Sequence, residues 1–328
     1  MDYGKLHRIF DIKNVGDFEA LALEIFRFQY LQNPVYREFC QYIKRSPEKV
    51  DLLEEIPFLP ISFFKSHKVI AHERPSQMVF ESSGTTGSTT SKHLIADLSL
   101  YRSSFQGGFE KFYGNPRDYC ILALLPSYLE REGSSLVFMA NELIENSKHS
   151  ESGFYLNEYE LLHEKLIELE QKKTKTLLLG VSFALLDFIE KYQLKLNHTI
   201  VMETGGMKGK RKEIIREELH NKLKNGFGVN KIHSEYGMTE LLSQAYSSGN
   251  GIFKTPPWMQ AYTRDTEDPL QIQQHNKTGG INIIDLANVY SCSFIATQDL
   301  GKTYADGNFE VLGRFDNSDV RGCNLMVL

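Results

Sequence analysis

Apolar residues recur at helical spacing through the first part of the chain. In the stretch 17–30 they stand three or four positions apart, which predicts an amphipathic helix. Asn33-Pro34 ends this helix, and the proline is typical of the first turn of a second one. Prolines among large apolar residues at 52–64 predict an extended connection. We therefore predict that residues 1–78 form a helical lead-in to the main body of the chain.

Further along, stretches typical of strands alternate with stretches typical of helices. Apolar runs predict strands and amphipathic stretches predict helices, in the order helix 97–112, strand 119–125, helix 159–171, strand 176–180, helix 183–192, strand 199–203, helix 208–224 and strand 231–233. This alternation predicts an α/β layer with a mainly parallel sheet.

After residue 251 the pattern changes to short strands separated by turns. Strand-like runs occur at 279–285, 293–297 and 308–314. They predict a β-rich subdomain, such as a small distorted barrel. The sequence contains no obvious flexible linker, so we interpret residues 79–328 as one continuous α/β unit.

Composition and charge narrow the class of protein. The chain has 328 residues, of which 41% are hydrophobic and 24% charged, as in soluble globular proteins. Its net charge of −5 provides no basic field for nucleic acid or an anionic membrane. No apolar run is long enough to predict a membrane span, and the polar start does not predict a signal peptide. The four scattered cysteines favour free thiols in a reducing cytoplasm over a metal site.

One loop consists entirely of hydroxyl-bearing residues and glycine. Between Ser82 and Ser91 every residue is serine, threonine or glycine, and Lys92 follows. Hydroxyls and exposed N–H groups donate to anionic oxygens, and glycine permits tight turns, so the loop suits a polyphosphate. A flexible linker explains this composition equally well. The loop is not a P-loop, because no Gly-Lys-Ser/Thr occurs.

Polar segments follow several of the predicted strands. They occupy residues 126–135, 180–182, 204–207 and 234–240. Because ligands of parallel sheets bind at the carboxyl ends of the strands, these segments are candidates for lining one site. Ordinary surface turns are the alternative interpretation.

Four motifs in a fixed order carry a resemblance to a known family. The hydroxyl/glycine loop is followed by Ser-Glu-Tyr-Gly-Met-Thr-Glu at 234–240, Thr-Gln-Asp-Leu-Gly at 297–301 and Gly-Arg-Phe-Asp at 313–316. In this order they resemble the adenylate-forming superfamily of acyl-CoA synthetases, luciferases and peptide-synthetase adenylation domains, over roughly residues 79–322. The resemblance implies the N-terminal-domain fold of these enzymes, with parallel-type sheets flanked by helices and a β-rich, distorted-barrel subdomain.

The resemblance also implies a nucleotide site. The residues that would contact ATP are Ser82, Ser83, Gly84, Thr85, Thr86, Gly87, Lys92, Gly205, Gly206, Glu235, Tyr236, Gly237, Thr239, Asp299 and Arg314. The hydroxyl/glycine loop would hold the β- and γ-phosphates, and Gly205 and Gly206 would let the backbone approach the nucleotide closely. Tyr236 would stack on adenine, and Asp299 would accept from the ribose hydroxyls.

Three residues would lie closest to the reacting groups. Thr239 would donate to the α-phosphate or the acyl oxygen, Arg314 would reach the ribose or a phosphate, and Glu240 would hold Mg²⁺. The implied reaction is attack of a carboxylate on the α-phosphorus, which gives acyl-AMP and pyrophosphate. Structural roles are the alternative: Tyr236 as a core aromatic, Glu240 as an acid at a helix N-terminus and Asp299 as a turn residue. Arg314 could likewise belong to a surface ion pair.

The sequence departs from the superfamily pattern in three places. Lys92 lies five residues after Gly87, farther than usual, and Gln298 stands where the family has glycine. Full-length members also continue past the Gly-Arg-x-Asp motif into a second domain that carries a catalytic lysine. Here six residues follow Gly322, so we expect that domain and its lysine to be missing.

Cys323 lies beside this last motif, in Arg-Gly-Cys-Asn. The chain here resembles a short subgroup, the acyl-protein synthetases of the bacterial luminescence fatty-acid reductase system. These enzymes activate a fatty acid, pass it to a cysteine near their own C-terminus, and then to a reductase partner. The resemblance implies ATP and Mg²⁺ as cofactors, a fatty or other apolar acid as substrate, and Cys323 as the catalytic nucleophile. An ordinary terminal cysteine without function is the alternative.

Two other functions stay open at this point. The first is transfer of an acyl or aryl group directly to CoA or to the thiol of an acyl-carrier protein, as in phenylacetate-CoA ligases. The second is a non-catalytic remnant that binds a nucleotide or a partner.

Overall fold

The computed structural model describes residues 8–71, 74–82, 89–126, 133–206, 211–212 and 214–315. The helices are α1 (Val15–Gln32), α2 (Pro34–Tyr42), α3 (Phe63–Ser66), α4 (Leu98–Tyr113), α5 (Ser135–Ser147), α6 (Tyr159–Gln171), α7 (Ser182–Lys191) and α8 (Arg216–Phe227). The strands are β1 (Leu59–Pro60), β2 (Met78–Glu81), β3 (Lys92–Ile95), β4 (Cys120–Leu124), β5 (Gly153–Tyr155), β6 (Thr176–Val181), β7 (Thr199–Thr204), β8 (His233–Tyr236), β9 (Ala245–Ser247), β10 (Ile252–Phe253), β11 (Met259–Arg264), β12 (Thr278–Asp285), β13 (Phe294–Thr303) and β14 (Phe309–Arg314).

A six-stranded sheet with the order β5-β4-β6-β7-β8-β9 forms the α/β layer. All of its pairs are parallel except β8 with β9, which confirms the predicted fold class. β4 and β6 are buried along their whole length, as their continuous apolar runs predict. The carboxyl ends of β4, β6, β7 and β8 therefore lie along one edge of the sheet.

A second sheet contains the strands predicted after residue 251. Its order is β10-β14-β13-β12-β11, with antiparallel pairs, and β1 from the lead-in adds to β13 in parallel. β12 is buried from its second residue onward, so this sheet packs into the molecule rather than lying on its surface.

The hydroxyl/glycine loop joins the two strands of a separate hairpin, β2 and β3. Two hydrogen bonds close its base: Ser82 N donates to Ser91 O (3.1 Å), and Ser91 N donates to Ser82 Oγ (2.9 Å). The strands hold the ends of the loop together, so it is a hairpin connection rather than a linker between domains.

Two predicted boundaries are wrong, and several elements were not predicted. The helix predicted from residue 208 begins at Arg216, and Glu217 and Glu218 in its first turn suit a helix N-terminus. The strand predicted at 231–233 is β8, so Ser234 and Glu235 are buried within it. The elements that were missed include helix α5 and strands β3, β5, β9 and β10.

No helix among the described residues is long and apolar enough to cross a membrane.

The helical lead-in is anchored to the antiparallel sheet by a buried glutamine in α1. Gln29 Nε2 donates to the carbonyls of Asn288 (3.0 Å) and Val289 (2.9 Å) and to Ser293 Oγ (3.1 Å). Its Oε1 accepts from Ser293 N (3.0 Å). Gln29 is fully buried, and each polar atom of its side chain is used. Helix α1 is therefore fixed to the loop between β12 and β13.

We predict that Gln29→Ala lowers the free energy of unfolding by about 2–4 kcal/mol, because it leaves buried partners unpaired. Urea denaturation followed by circular dichroism measures this loss. Gln32→Ala, at an exposed position of the same helix, is the control and should change the value by no more than about 0.5 kcal/mol. Equal losses in the two variants would contradict the anchoring role of Gln29.

Candidate active site

The candidate active site lies where the parallel sheet meets the antiparallel sheet. The side chains of β8 alternate between two sides at this junction. Tyr236 points toward the antiparallel sheet, where its hydroxyl donates to Asp299 Oδ2 in β13 (2.9 Å). Glu235 points the other way and accepts from the hydroxyl of Thr204 in β7. Although sequence reasoning grouped Glu235 with Tyr236, the structure separates their side chains.

Asp299 and Arg314 complete a polar cluster with Tyr236. They stand directly opposite each other in the pair β13–β14, and Arg314 Nε lies 3.3 Å from Asp299 Oδ1. Burial raises the pKa of Asp299, while the charge of Arg314 and the hydrogen bond from Tyr236 oppose this shift. The Arg314 side chain is 71% exposed. The cluster therefore offers a buried acceptor and an accessible cationic donor to a ligand.

The ring of Tyr236 is fixed in place by aromatic neighbours. It lies 5.7 Å from the ring of Phe253 and 5.3 Å from that of Phe309. With its hydroxyl held by Asp299, the side chain has one defined orientation. A ring held in this way can serve as a stacking platform, and its stacking on adenine stays a prediction.

The backbone of Thr239 and Glu240 is held by two side chains from other parts of the chain. His93 Nδ1 donates to Thr239 O (2.8 Å), and Asn288 Nδ2 donates to Glu240 O (2.7 Å). Both donors are fully buried. These two hydrogen bonds thus fix the backbone of Thr239, the predicted catalytic residue, and of Glu240, the predicted metal ligand.

Asp285 holds the backbone just after Glu240. Its carboxylate accepts from the backbone N–H groups of Leu242 (2.7 Å), Ser243 (2.9 Å) and Ala287 (3.2 Å), and from Ser243 Oγ (2.6 Å). Burial raises the pKa of Asp285 to about 6, and these four donors limit the rise. Sequence reasoning missed Asp285 and Asn288. A polar residue at the end of a strand was the only signal for Asp285, and it is equally typical of a surface turn.

Glu240 fits the predicted role of a magnesium ligand. Its side chain is buried, and burial raises the pKa of its carboxyl group, opposed by a hydrogen bond with Ser91 and by the charge of Arg314. A nearby cation would stabilise the ionised form. No group of three or more His, Cys, Asp or Glu residues suited to a metal occurs in the part of the chain that the structure describes. Phosphate oxygens of a bound nucleotide would suit magnesium as further ligands, because this hard cation prefers oxygen.

Gly205 and Gly206 follow β7 at the edge of the sheet. Gly205 has φ +64°, in the left-handed region that favours glycine. Ser182 Oγ donates to Gly205 O (3.0 Å) and to Glu203 Oε2 (2.9 Å), which fixes the turn from one side. A Cβ atom added at Gly206 would meet no atom of the described residues within 4 Å, apart from its chain neighbours. The turn is therefore held firmly from one side. Ser182 belongs to the segment 180–182 that was predicted to line the site, whereas Glu203 was not predicted to belong to it.

Several predicted site residues lie outside the described residues. These are Ser83, Gly84, Thr85, Thr86 and Gly87 of the loop, and Cys323. Lys92 is described, and its Nζ lies 3.3 Å from Glu81 Oε1 in an exposed ion pair. The predicted phosphate contacts of the loop and of Lys92 remain predictions.

Comparison with protein families gives a match over almost the whole chain. The sequence profile described as "Acyl-protein synthetase, LuxE" matches residues 13–328. The chain belongs to the acyl-protein synthetase family. A comparison with curated protein sequences found no significant match.

Solved structures similar to this acyl-protein synthetase family member are adenylate-forming ligases. 2-Hydroxyisobutyryl-CoA ligase, in the postadenylation state with R3-HIB-AMP, has a TM-score of 0.66 and 12% identity, covering 92% of this chain and 68% of the ligase. ATP-bound MatB from Rhodopseudomonas palustris has a TM-score of 0.53 and 18% identity, covering 72% of this chain and 47% of MatB. The chain thus has the fold of adenylate-forming enzymes and spans about half the length of MatB.

The histidine that holds Thr239 leads to a pH-dependent prediction. Burial lowers the pKa of His93 to about 4. Because this value lies below the unfolded value of about 6.5, the unfolded chain binds the proton more readily in this range. The contribution of neutral His93 to the free energy of unfolding is fully present above pH 6.5 and is lost as the pH falls toward 4.

We predict that His93→Asn, which keeps a donor for Thr239, reduces this acid sensitivity. The stability advantage of the wild type over the variant should shrink by about 3 kcal/mol between pH 7 and pH 4. Urea denaturation at each pH measures the difference. Parallel pH curves for wild type and His93→Asn would contradict the assignment.

Proposed function

We propose that this chain activates a carboxylic acid with ATP and passes the acyl group to a thiol. In the first step a carboxylate oxygen bonds to the α-phosphorus, the bond from this phosphorus to pyrophosphate breaks, and acyl-AMP forms. In the second step a thiolate sulfur bonds to the acyl carbon, the carbon–oxygen bond to AMP breaks, and AMP leaves. The acid is expected to carry an apolar chain.

The cluster of Tyr236, Asp299 and Arg314 is the observation that carries this proposal. It joins a fixed aromatic ring, a buried carboxylate and an exposed guanidinium from both sheets. A nucleotide has a flat base, ribose hydroxyls that donate, and phosphates that accept, in the same connected order. We infer that the ring packs on adenine, that Asp299 accepts from the ribose, and that Arg314 donates to the ribose or a phosphate.

The segment that contains Thr239 and Glu240 would meet the reacting phosphate. Its backbone is fixed by His93 and Asn288, so the main chain that carries the Thr239 hydroxyl is in place before substrate binds. Magnesium, held by Glu240 and phosphate oxygens, would neutralise phosphate charge. The Gly205-Gly206 turn and the hydroxyl/glycine loop would complete the contacts with the nucleotide.

Cys323 is the proposed acyl acceptor. The other three cysteines are buried, and burial raises the pKa of Cys40 to about 12 and that of Cys120 to about 11. Burial also raises the pKa of Cys292. Because the thiolate is the nucleophile, these three are poorly suited to attack acyl-AMP. We propose that Cys323 then passes the acyl group to a partner in the cytoplasm, such as a reductase or an acyl-carrier protein.

The nucleotide assignment predicts a selective effect of Asp299→Asn. We expect it to raise KM for ATP and to lower kcat/KM for acid-dependent ATP–pyrophosphate exchange by about tenfold to a hundredfold, because the amide accepts more weakly from ribose. Asp306→Asn is the control, since this exposed carboxylate only caps a turn through Asn308. Unchanged exchange in Asp299→Asn would contradict the ribose assignment. Absence of acid-dependent exchange in the wild type, across fatty, aryl and amino acids, would contradict acyl activation altogether.

The acceptor assignment predicts that Cys323→Ser separates the two steps. Pyrophosphate exchange should continue at the wild-type rate, whereas the acyl-enzyme released by neutral hydroxylamine should disappear. Intact-protein mass spectrometry after incubation with ATP and acid detects this adduct. Cys120→Ala should retain it. An undiminished adduct in Cys323→Ser would exclude this acceptor, and transfer of the acyl group to added CoA by that variant would identify CoA as the acceptor instead.

A further inference from the structure

One side of β8 and β9 carries a buried polar surface that the proposed nucleotide contacts do not use. Glu235 and Tyr246 are directly opposite each other in this antiparallel pair, so their side chains share a face. Gln244, two residues before Tyr246, lies near the same carboxylate. A Cβ atom added at Gly237 would lie 2.5 Å from Glu235 Oε1 and 3.4 Å from Gln244 Cγ. We refer to Glu235, Gln244 and Tyr246 as the β8–β9 cluster.

Helix α4 covers this cluster with aromatic side chains. The ring of Tyr246 lies 5.4 Å from the rings of both Phe112 and Tyr113. A Cβ atom at Gly108 would meet the Tyr246 ring only at 4.0 Å, so α4 presents little bulk there. The polar groups of the cluster therefore lie in apolar surroundings between a helix and the sheet.

Two polar atoms of the cluster have no hydrogen-bond partner among the described residues. They are Gln244 Oε1 and the Tyr246 hydroxyl, and the two residues are only 5% and 3% exposed. The neighbouring hydroxyl of Tyr113, by contrast, lies 3.1 Å from His233 Nδ1. A buried polar atom left unpaired costs about 1–3 kcal/mol, and such atoms are rare. Two of them beside a carboxylate indicate a place where a ligand supplies the partners.

The chemistry of the cluster selects the kind of group that fits. The Gln244 oxygen and the Glu235 carboxylate accept hydrogen bonds, and the Tyr246 hydroxyl can accept or donate. They therefore suit an O–H or N–H group rather than another carbonyl. The cluster also lies on the opposite side of β8 from Tyr236 and Asp299. Since the nucleotide is assigned to the side of β8 that carries Tyr236 and Asp299, we assign the acid to the side that carries the β8–β9 cluster.

We propose that the acid activated by this chain carries a hydrogen-bond donor, a hydroxyl or amino group, on its apolar chain, and that Gln244 and Tyr246 recognise this donor. This inference rests on the proposed function. It distinguishes the substrate from an unsubstituted fatty acid, for which the two polar atoms would stay unpaired in the complex. Tyr246 and Gln244 are specificity-determining residues in this account, and the nucleotide contacts do not involve them.

The test compares acids of equal chain length that are unsubstituted, hydroxylated or aminated at each position in turn. We expect the best donor-bearing acid to exceed the unsubstituted acid by at least about tenfold in kcat/KM for ATP–pyrophosphate exchange with the full chain. Tyr246→Phe and Gln244→Met should bring this ratio close to one by lowering kcat/KM for the donor-bearing acid more than for the unsubstituted acid. Tyr262→Phe is the control and should leave the ratio unchanged, because the Tyr262 hydroxyl donates to Gln260 elsewhere in the antiparallel sheet.

Thermal unfolding provides a second measurement that needs no catalysis. Without ligand, Tyr246→Phe and Gln244→Met should unfold at the wild-type temperature or above it, because each removes an unpaired buried atom. Donor-bearing acids should raise the unfolding temperature of the wild type more than unsubstituted acids do, and this difference should vanish in the variants.

The outcomes separate this inference from the proposed function. Exchange with unsubstituted acids as good as with any donor-bearing acid would overturn the inference and leave acyl activation standing. Absence of exchange with every acid would contradict acyl activation, and the thermal shifts would then decide the inference alone. Equal stabilisation by both kinds of acid would overturn it, as would marked destabilisation by Tyr246→Phe.

Discussion

The buried carboxylate of Asp285 is the interaction on which the candidate site depends. It joins the end of β12 to the backbone of Leu242 and Ser243, just beyond the predicted magnesium ligand. Ser243 Oγ lies 2.8 Å from Ser104 Oγ in α4, and Trp258 Nε1 donates to the same Ser104 (2.9 Å). One carboxylate thus connects the antiparallel sheet, the segment after β8 and helix α4. Loss of this carboxylate would leave several buried donors unpaired at once.

The alternation of side chains along β8 explains how one short strand can contribute to two different surfaces. Tyr236 contacts the antiparallel sheet, whereas Glu235 contacts β7 and the side covered by α4. A shift of one residue in the register of β8 would exchange these two sides. The pairing with β7 on one edge and β9 on the other fixes that register. The separation between the proposed nucleotide side and acid side therefore follows from sheet geometry rather than from a domain boundary.

The sequence predicted the helical lead-in, the buried strands and the motif residues because these depend on local patterns. Apolar periodicity is enough for α1 or β6, and motif order is enough to group Tyr236 with Asp299. The end of β8 was misplaced because Ser234 and Glu235 are polar, and polar residues are normally placed outside a buried strand. Glu235 is buried because Thr204, distant in sequence, donates to it. Asp285 was missed for the same reason, since its partners at 242–243 are unrelated to it by any local pattern.

The polar atoms inside this protein fall into two groups, and the difference bears on what the site does. Gln29 and Asp285 hold the frame together, and their side chains are fully hydrogen-bonded. The unpaired atoms of Gln273 and Asn282 belong to side chains held by another hydrogen bond. The Tyr246 hydroxyl, in contrast, has no hydrogen bond of any kind within the described residues. Stability alone would favour phenylalanine there, and the donor-bearing acid proposed above would supply the partner that the described residues do not.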